Sequence, residues 1–374
     1  MPITATAKGH HTKTSRSATS FQVELTAYRK LSSCSSVPKL IGSDAATRTL
    51  VLERRGTSLF RLPTGARPKA VEVIWALGAV HAYGMAHGDF HAQNVLVDAD
   101  GSITLIDFEW SSTETRPLAE CRDLTGDGPH NPRTDDIHWD GKRRGKERLP
   151  HDGSIRTFLG TDAGQAYASY LDRLRAEVRR ASGFKTGSTF DKDGRIYQSF
   201  SHPRFVWKHA QRNTEARLSR FKLAASLKNT SVLDLGSNLG AVTLACASRG
   251  ARVLGVEADD ARVDVARRIA GVCGLQHQVA FKTQKIENTL KSGESFDIIL
   301  ALAVDAWVPD PASMYAMIAE RARRLVIMES NVGSPRQDAL KRAFTTKGWK
   351  VEPLGDTSRE DAFGNRRYIY RMSR

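Results

Sequence analysis

The most constraining feature of the sequence is the run His-Gly-Asp-Phe-His-Ala-Gln-Asn at residues 87–94, which is followed by Asp107-Phe108-Glu109. Two short apolar segments with a turn between them separate these motifs, and this pattern predicts a β-hairpin. Asp89 can accept the proton of an attacking hydroxyl group, while Asn94 and Asp107 offer the oxygen ligands that Mg²⁺ prefers. These three groups are what phosphoryl transfer from Mg-ATP requires. The alternative is an acidic hairpin with a capped turn.

The pattern H-G-D-x-H-x-x-N followed by D-F-E resembles the catalytic loop of kinase-like phosphotransferases of small molecules and sugars, such as aminoglycoside, choline and lipopolysaccharide sugar kinases. The resemblance implies an α+β kinase-like domain with ATP and Mg²⁺ as cofactors. It also implies that Asp89 is the catalytic base, that Asn94 and Asp107 hold the metal ions and that His87 braces the loop. The acceptor that it implies is a hydroxyl group on a small molecule or glycan, rather than a protein.

Kinase-like folds also use a strand lysine that contacts the nucleotide phosphates and a helix glutamate that orients this lysine. We expect Lys8 and Glu24 to form this nucleotide-binding pair, because residues 3–8 alternate like a strand and residues 21–31 have helical spacing. Lys13 competes with Lys8, which is equally well explained as a solvated surface lysine. No glycine-rich hairpin precedes Lys8, so the sequence predicts a truncated small lobe, or a chain start that has been assigned late. Either case predicts weakened ATP binding.

The rest of the first half offers two candidate acceptor-binding segments. Residues 123–139 combine glycines, prolines, acids, histidines and a tryptophan, and form either a lid over the acceptor or a plain exposed loop. The basic run at residues 141–148 is either a solvated surface or a contact for a phosphate-rich acceptor. An amphipathic helix is predicted over residues 161–180, and the flexible composition that follows it places the domain boundary near residues 183–187.

The second half opens with a pattern typical of a cofactor site. Residues 231–240 (Ser-Val-Leu-Asp-Leu-Gly-Ser-Asn-Leu-Gly) predict a buried strand, a glycine turn and the start of a helix, and the next strand ends in Glu257. Glycines let the backbone approach a ligand closely, and an acid after the second strand can accept hydrogen bonds from both ribose hydroxyls. The chain lacks G-x-G-x-x-G here, which argues against a dinucleotide. Apolar runs at residues 296–302 and 324–329 predict further parallel strands.

The segment D-L-G-x-N-x-G followed by V-E resembles the fingerprint of class I S-adenosylmethionine-dependent methyltransferases, which implies an α/β Rossmann-like domain. The cofactor-binding residues implied by this resemblance are Asp234, Gly236, Asn238, Gly240 and Glu257. A generic Rossmann-like domain with another ligand is the alternative. No N-P-P-Y motif follows the fourth strand, which argues against methylation of nucleobase amino groups.

Three polar residues are candidates for contacts with the methyl acceptor. Arg204 and Arg212 bring cations toward the expected cofactor mouth, or are surface charges of a helix. Arginine suits bidentate recognition of phosphate. Asp305 follows the fourth strand and is either an acceptor-side group or a strand cap.

Length and charge frame these motifs. The chain has 374 residues, enough for two domains, and we assign residues 1–182 to the kinase-like domain, 183–230 to a linker and helical lead-in, and 231–374 to the methyltransferase domain. The net charge of +15 favours anionic partners. Neither a long apolar run nor a signal-peptide pattern is present, so we expect a cytoplasmic protein without a membrane span. Four widely spaced cysteines predict neither a zinc site nor a disulfide framework.

Both halves therefore carry group-transfer chemistry. In domain content, the chain resembles bifunctional enzymes that cap bacterial surface polysaccharides by phosphorylating a terminal sugar and then methylating that phosphate. We expect a sugar or small-molecule hydroxyl to be phosphorylated, and the product or a related anionic acceptor to be methylated. The alternative is a methyltransferase that acts on RNA or on a protein and whose first half is a degenerate kinase-like docking domain. Nucleic acid is the less favoured partner.

Overall fold

The computed structural model describes residues 4–6, 10–53, 55–63, 66–125, 163–182, 194–331 and 334–374. The chain divides into two compact units, Met1–Arg173 and Leu174–Arg374, and the division falls within the helix Ala163–Ser182. The joint expected near residues 183–187 lies outside the described residues. The candidate acceptor-binding segments of the first half also lie outside them, apart from residues 123–125.

The first unit begins with a four-stranded antiparallel sheet in the order β1-β2-β4-β3. Its strands are β1 (Thr4–Thr6), β2 (His10–Thr14), β3 (Leu40–Asp44) and β4 (Thr49–Glu53). Helix α1 (Ala18–Lys30) begins after Ser17, whose hydroxyl accepts a hydrogen bond from the Ser20 amide. A serine at this position satisfies one of the amides that the first turn leaves without a helical partner. The buried face of α1 includes Phe21 and Glu24.

The remainder of the first unit is built from helices and short strand pairs. The strands are β5 (Thr57–Ser58), β6 (Met85–Ala86), β7 (Val95–Val97), β8 (Ile103–Leu105) and β9 (Ser112–Thr113). The helices are α2 (Ala70–Ala82), α3 (Arg122–Thr125) and the first part of α4 (Ala163–Ser182). Antiparallel pairing of β7 with β8 confirms the predicted hairpin, which carries one candidate motif at each of its ends.

The second unit begins with small strands that precede its main sheet. Strand β10 (Ile196–Gln198) pairs with β13 (Ala210–Arg212), and β11 (Phe200–His202) forms a hairpin with β12 (Phe205–Trp207). Helix α5 (Thr214–Arg220) follows directly. Residues 194–230, expected to be a linker and a helical lead-in, thus also contain two small sheets. Burial alternates from Ile196 to Phe200, which is the period of a strand.

A seven-stranded sheet in the order β16-β15-β14-β17-β18-β20-β19 organises the second unit. Its strands are β14 (Ser231–Leu235), β15 (Arg252–Glu257), β16 (Val279–Thr283), β17 (Phe296–Leu302), β18 (Ala322–Asn331), β19 (Lys350–Asp356) and β20 (Arg367–Ser373). The first five are parallel, and β20 is antiparallel to its two neighbours. The helices between them are α6 (Ala241–Ala247), α7 (Asp260–Cys273), α8 (Ile286–Lys291), α9 (Pro311–Arg321) and α10 (Ser334–Thr345). The doubly wound α/β sheet expected for the second half is therefore confirmed.

The core of the second unit positions its candidate site. Apolar side chains of β14 and β17 such as Leu233 and Ile299 pack in one cluster with Met314 and Ile318 of α9. Strands β15 and β17 lie on opposite sides of β14, so the strand order reverses there. In open parallel sheets, ligands bind outside the carboxyl ends of the strands at such a reversal.

Two further properties follow from the described residues. None of the described helices is both long and apolar enough to cross a membrane. The four cysteines are buried thiols, and burial raises the pKa of Cys246 and of Cys273 to about 12. These two thiols are therefore protonated at neutral pH, when they are poor nucleophiles.

Candidate functional site

One lysine joins the two acids of the first unit's candidate site. Lys13 Nζ lies 2.7 Å from Asp107 Oδ1 and 2.8 Å from Glu24 Oε2. Lys13 lies on β2, where it is in register with Leu50 of β4, whereas β1 ends at Thr6, before Lys8. Glu24 therefore pairs with Lys13, the lysine that competes with Lys8 in the sequence, and Lys8 itself lies outside the described residues.

The backbone around Asp107 is also held in place. Asp107 has a φ of 67°, a left-handed conformation that residues other than glycine adopt only at a cost. The Phe108 amide donates to Glu24 Oε1 at 3.2 Å. Glu24 thus orients both Lys13 and the chain that carries Asp107.

Burial and the shared cation determine the charge of this cluster. Burial raises the pKa of Glu24 to about 7, Lys13 opposes this shift, and the nearby Asp107 adds to it. Burial lowers the pKa of Lys13, but the two carboxylates more than reverse this effect, so the lysine stays charged. The single positive charge of Lys13 therefore compensates two carboxylates. Glu24, whose pKa is raised, is the carboxylate that takes up a proton near neutral pH.

The predicted catalytic residues of the loop before β7 lie together. Asn94 Nδ2 donates to the Asp89 carbonyl oxygen at 2.9 Å and to Asp89 Oδ2 at 3.3 Å. His91 Nε2 lies 3.6 Å from Asp89 Oδ1. Because the Asn94 amide nitrogen is used in this way, its Oδ1 remains as the atom for a metal ion. The Asn94 carbonyl also accepts from the Ile106 amide at 3.0 Å, which brings Asn94 next to the chain of Asp107.

Two buried residues anchor this loop. His87 Nε2 hydrogen-bonds to the Ile106 carbonyl at 2.8 Å, and burial lowers the pKa of His87, so its ring is neutral. The bracing contact expected of His87 is therefore present. Asp123 accepts hydrogen bonds from the His87 amide at 2.7 Å and the Gly88 amide at 2.9 Å. Sequence reasoning placed Asp123 in a candidate lid, because nothing in its local pattern reveals a partner 35 or 36 residues away.

In the second unit, the turn after β14 requires glycine at two positions. Gly236 has a φ of 71° and Gly240 a φ of 81°. A Cβ atom at Gly236 would lie 2.5 Å from Val304 Cγ1, and one at Gly240 would lie 2.8 Å from the Phe281 ring. Asn238, between them, also has a positive φ, of 53°. The turn therefore folds tightly over the carboxyl end of β14.

Glu257 lies at the end of β15, beside this turn. Its Oε2 accepts from the Asn238 amide at 3.0 Å, and its Oε1 accepts from the Ala258 amide at 2.9 Å. A carboxylate oxygen can accept more than one hydrogen bond. These hydrogen bonds fix Glu257 at the edge where the strand order reverses, and its carboxylate can still accept further hydrogen bonds.

Asp234 is buried under the same turn. Thr243 Oγ1 donates to its Oδ2 at 2.6 Å. Burial raises the pKa of Asp234 to about 6, against the effect of the Thr243 hydrogen bond and of the cation of Arg217.

Sequence reasoning missed Arg217 and Glu329. Arg217 Nε, on α5, donates to Glu329 Oε1 on β18 at 2.9 Å, and both side chains are fully buried. Arg217 Nη1, Glu329 Oε2 and Ser237 Oγ are buried without a hydrogen-bond partner in the described part of the chain. The 112 residues between the two partners explain why no local pattern reveals this pair.

Arg212 lies on a strand and not on the surface of a helix. It ends β13 and is fully buried, with its Nε 2.8 Å from Asp361 Oδ2. Burial and the neighbouring Arg367 lower the pKa of Arg212. Arg212 is thus not a surface charge of a helix, while its contact with an acceptor stays a prediction. It ties β13 to the loop before β20.

Arg204 and Asp305 are the other two candidates for contacts with the methyl acceptor. Arg204 lies in the turn between β11 and β12 and is not helical, and its charge acts on Cys273 at the last turn of α7. That end of α7 faces away from Glu257, because α7 starts at the carboxyl edge of the sheet. Asp305 is fully buried, and its Oδ2 accepts from Tyr315 Oη at 3.0 Å and Ser330 Oγ at 2.6 Å. It links the end of β17 to α9 and β18, as its interpretation as a strand cap predicts.

Comparison with known proteins bears on this second unit. Residues 232–326 match a family model described as a methyltransferase domain. The chain is 35% identical over 98 residues to a ubiquinone biosynthesis O-methyltransferase of Coxiella burnetii, a match that covers 26% of this chain and 41% of that protein. The chain thus spans about two fifths of the length of this relative.

Two kinase-containing proteins are also similar to the chain. A CBL-interacting protein kinase 4 of Oryza sativa is 43% identical over 68 residues, which is 18% of this chain and 14% of the kinase. The crystal structure of a bifunctional kinase-methyltransferase, WbdD, aligns with a TM-score of 0.38 and 22% identity, covering 48% of this chain and 44% of that one.

Proposed function

We propose that the second unit transfers a methyl group from S-adenosylmethionine to an oxygen atom of an anionic acceptor. We further propose that the first unit transfers a phosphoryl group from Mg-ATP to a hydroxyl group of a sugar or small molecule. The methylated acceptor is then the phosphorylated product or a related compound.

The unpartnered polar atoms at the carboxyl edge of the sheet are the observation that best supports S-adenosylmethionine as the cofactor. Buried polar groups in proteins are almost always hydrogen-bonded, so those without partners mark the place of a ligand or of water. Arg217 Nη1 is a donor that suits the cofactor's carboxylate, and Glu329 Oε2 is an acceptor that suits its ammonium group. Glu257 is positioned to accept from the ribose hydroxyls.

The residues of this chain would promote methyl transfer mainly by positioning the two reacting groups. When bound, S-adenosylmethionine supplies the methyl group on a sulfonium ion. An anionic oxygen already carries the electron pair that forms the new bond, so it requires little help from an acid or a base. The turn that contains Gly236 and the pair Arg217–Glu329 would hold the cofactor end of this reaction. Alignment of the two reacting groups supplies most of the rate effect.

Calorimetric titration with S-adenosylhomocysteine tests the cofactor assignment. We expect wild-type protein to bind one equivalent, and Glu257→Ala to weaken binding at least tenfold, because hydrogen bonds to a charged group are worth about 1.5–3 kcal/mol each. Glu294→Ala, in an exposed position of the same unit, is the matched control and should bind as the wild type does. Equal affinity in all three proteins would refute the assignment.

The cluster of Lys13, Glu24 and Asp107 is the observation that supports phosphoryl transfer. Lys13 and Asp107 are 94 residues apart, yet their charged groups are in contact. A lysine held between a helix glutamate and an acid after a hairpin fits the phosphates of a nucleotide and a metal ion at the same time. Asn94 and Asp107 would hold Mg²⁺, which neutralises phosphate charge when bound. Asp89 would accept the proton of the attacking hydroxyl group.

Transfer of labelled phosphate from Mg-ATP tests this second assignment, with monosaccharides and amino alcohols as acceptors. We expect Asp89→Asn to reduce the rate by about 10²- to 10⁴-fold, the usual effect of losing a general base. Asp100→Asn, in the exposed turn of the same hairpin, should keep the wild-type rate. Undiminished transfer in Asp89→Asn would exclude Asp89 as the base.

A further inference from the structure

The ammonium group of Lys13 lies directly beside the charged member of the proposed metal site. Asn94 and Asp107 are the two proposed ligands, and only Asp107 is an anion. Lys13 Nζ lies 2.7 Å from Asp107 Oδ1 and 2.9 Å from Glu24 Oε1. The negative charge that would attract Mg²⁺ is therefore already compensated by a cation of the chain itself.

Both ends of this contact are held in place by other elements. Lys13 belongs to β2, which pairs with β4. The Asp107 amide donates to Tyr28 Oη at 3.4 Å, and the next amide, that of Phe108, donates to Glu24 Oε1 at 3.2 Å. The contact between Lys13 and Asp107 is thus fixed by the fold, unlike an ion pair between two mobile surface side chains.

Glu24 does not offer a metal ion an alternative ligand. Its side chain is fully buried, and its Oε1 accepts from the Phe108 amide as well as from Lys13. The side chain of Asp107 is 31% exposed and that of Lys13 is 14% exposed, so a ligand from solvent meets these two groups first. A divalent cation at Asp107 would lie close to the ammonium charge, and like charges repel strongly where water is partly excluded.

Nucleotide phosphates have the opposite effect on the same lysine. An ammonium group has three N–H donors, so the two carboxylates leave a donor for an oxygen of a phosphate group. The negative charge of the phosphates would then compensate Lys13. The charge of Asp107 would become available to a metal ion only after this has happened.

We propose that Lys13 is a placeholder cation, by which we mean a charge of the chain that keeps divalent ions from Asp107 until nucleotide phosphates bind. The order of binding is then nucleotide first and metal second. The inference rests on the proposed phosphoryl transfer, and it adds a control over when the metal site of that reaction becomes available.

Binding of Mn²⁺ without nucleotide tests the metal half of this order. Mn²⁺ prefers the same oxygen ligands as Mg²⁺, and its free form is measured by electron paramagnetic resonance. We expect Lys13→Met to bind Mn²⁺ about tenfold more tightly than the wild type, because the repelling charge is gone. Adding Asp107→Asn to Lys13→Met should abolish this gain, which would locate the ion at Asp107.

Two further variants separate this effect from general damage. Lys39→Met removes an exposed lysine directly before β3 of the same sheet, and it should bind Mn²⁺ as the wild type does. Lys13→Met leaves Glu24 buried without its cation, which destabilises a protein. The double variant Lys13→Met with Glu24→Gln removes both charges and should show the same gain in Mn²⁺ affinity. Thermal denaturation verifies that each protein is folded.

Calorimetry with ATP in the presence of EDTA tests the nucleotide half of the order. The wild type should bind ATP without a metal ion. We expect Lys13→Met to bind metal-free ATP about tenfold more weakly, because the phosphates lose a hydrogen bond to a charged group. Lys39→Met should again bind as the wild type does.

The outcomes distinguish this inference from the proposed function. If the wild type binds Mg-ATP, but binds Mn²⁺ alone as tightly as Lys13→Met does, the placeholder proposal is wrong and the proposed phosphoryl transfer stands. The same conclusion follows if the wild type binds Mg-ATP but not metal-free ATP. If the wild type binds neither Mg-ATP nor metal-free ATP, the proposed phosphoryl transfer itself fails, and the placeholder proposal fails with it.

Discussion

Lys13 is the residue on which the first unit's candidate site depends most, because its single charge is shared by Glu24 and Asp107. Two carboxylates near one cation cannot both be fully compensated in a buried place. Glu24 is the carboxylate whose charge is incompletely compensated. Its side chain is fully buried, and burial raises its pKa to about 7. Any ligand that takes over the charge of Asp107 therefore changes the protonation of Glu24.

This coupling predicts that Mg-ATP binding releases protons from the first unit. In the free protein at pH 6.5, Glu24 is largely protonated, because its pKa of about 7 lies above that pH. A metal ion on Asp107 would remove the negative neighbour and lower the pKa of Glu24, so the proton leaves. Titrations at pH 6.5 in two buffers of different ionisation enthalpy should give different heats. Glu24→Gln should lose this difference, and a buffer-independent heat for the wild type would contradict the coupling.

We expect the charge of Asp234 to have opposite effects on the stability of the second unit and on its affinity for the cofactor. Its pKa of about 6 in the folded state lies above the ordinary value of 3.8, so the folded state holds the proton more tightly. The stability that this proton contributes is present below pH 3.8 and is lost as the pH rises through about 6. The loss is on the order of 3 kcal/mol by linkage.

Asp234→Asn removes this buried charge. We expect its free energy of unfolding at pH 8 to equal or exceed that of the wild type, while its affinity for S-adenosylhomocysteine falls. Urea denaturation at pH 5 and pH 8 and a titration with S-adenosylhomocysteine measure the two effects. A variant that is less stable than the wild type at pH 8 would show that Asp234 is stabilising as a charge.

At the scale of elements, the loop before β7 is fixed by its close approach to the chain after β8. A Cβ atom at Gly88 would lie 2.1 Å from the Trp110 carbonyl oxygen, and Gly88 has a φ of 77°. Only glycine fits both constraints. The glycine of the H-G-D motif is therefore required by packing as well as by backbone conformation.

Gly88→Ala is accordingly expected to destabilise the first unit by about 3 kcal/mol or more, since it adds a backbone clash to a strained conformation. Gly101→Ala is the matched control, because Gly101 also has a positive φ, of 82°, but has no atom within 4 Å of an added Cβ. It should cost only about 1 kcal/mol of conformational strain. Chemical denaturation measures both, and equal losses would mean that the Trp110 contact is unimportant.

The pair Arg217–Glu329 ties α5 to β18 in the same way that Asp123 ties α3 to the loop of the first unit. Removing one partner of a buried pair leaves an uncompensated charge and costs about 3–5 kcal/mol. We expect Arg217→Met to lose about this much stability, and the double variant Arg217→Met with Glu329→Met to regain most of it. Thermal denaturation of the three proteins measures the effect. If the double variant were the least stable, the pair would not act as a unit.

At the scale of the whole molecule, sequence patterns predicted what depends on near neighbours along the chain. The hairpin of β7 and β8, the parallel sheet and the glycine turn at Gly236 follow from apolar periodicity and turn chemistry, which are local properties. The contacts of Asp123 and the pair Arg217–Glu329 were not predicted, because they join residues that are distant in sequence. The choice of Lys13 over Lys8 depended on where β1 and β2 end, and strand ends are set by pairing rather than by local pattern.

The burial of charge was the other property that the sequence did not reveal. Arg212 was expected to contact an acceptor or to be a surface charge, and Arg217 was not recognised, but both are buried, each with a buried partner on another element. The net charge of +15 thus overstates the charge available to partners at these positions.

The central claim is that one chain holds two transfer sites with separate cofactors. Of the two assignments, phosphoryl transfer by the first unit is the one that most needs a direct test. Calorimetric titration of Mg-ATP into the purified full chain tests it most directly. The account predicts one equivalent bound by the wild type and binding lost in Asp107→Ala, which removes the proposed metal ligand that Lys13 contacts. Heat no different from dilution with the wild type would contradict the claim and leave only its methyl-transfer half to be tested.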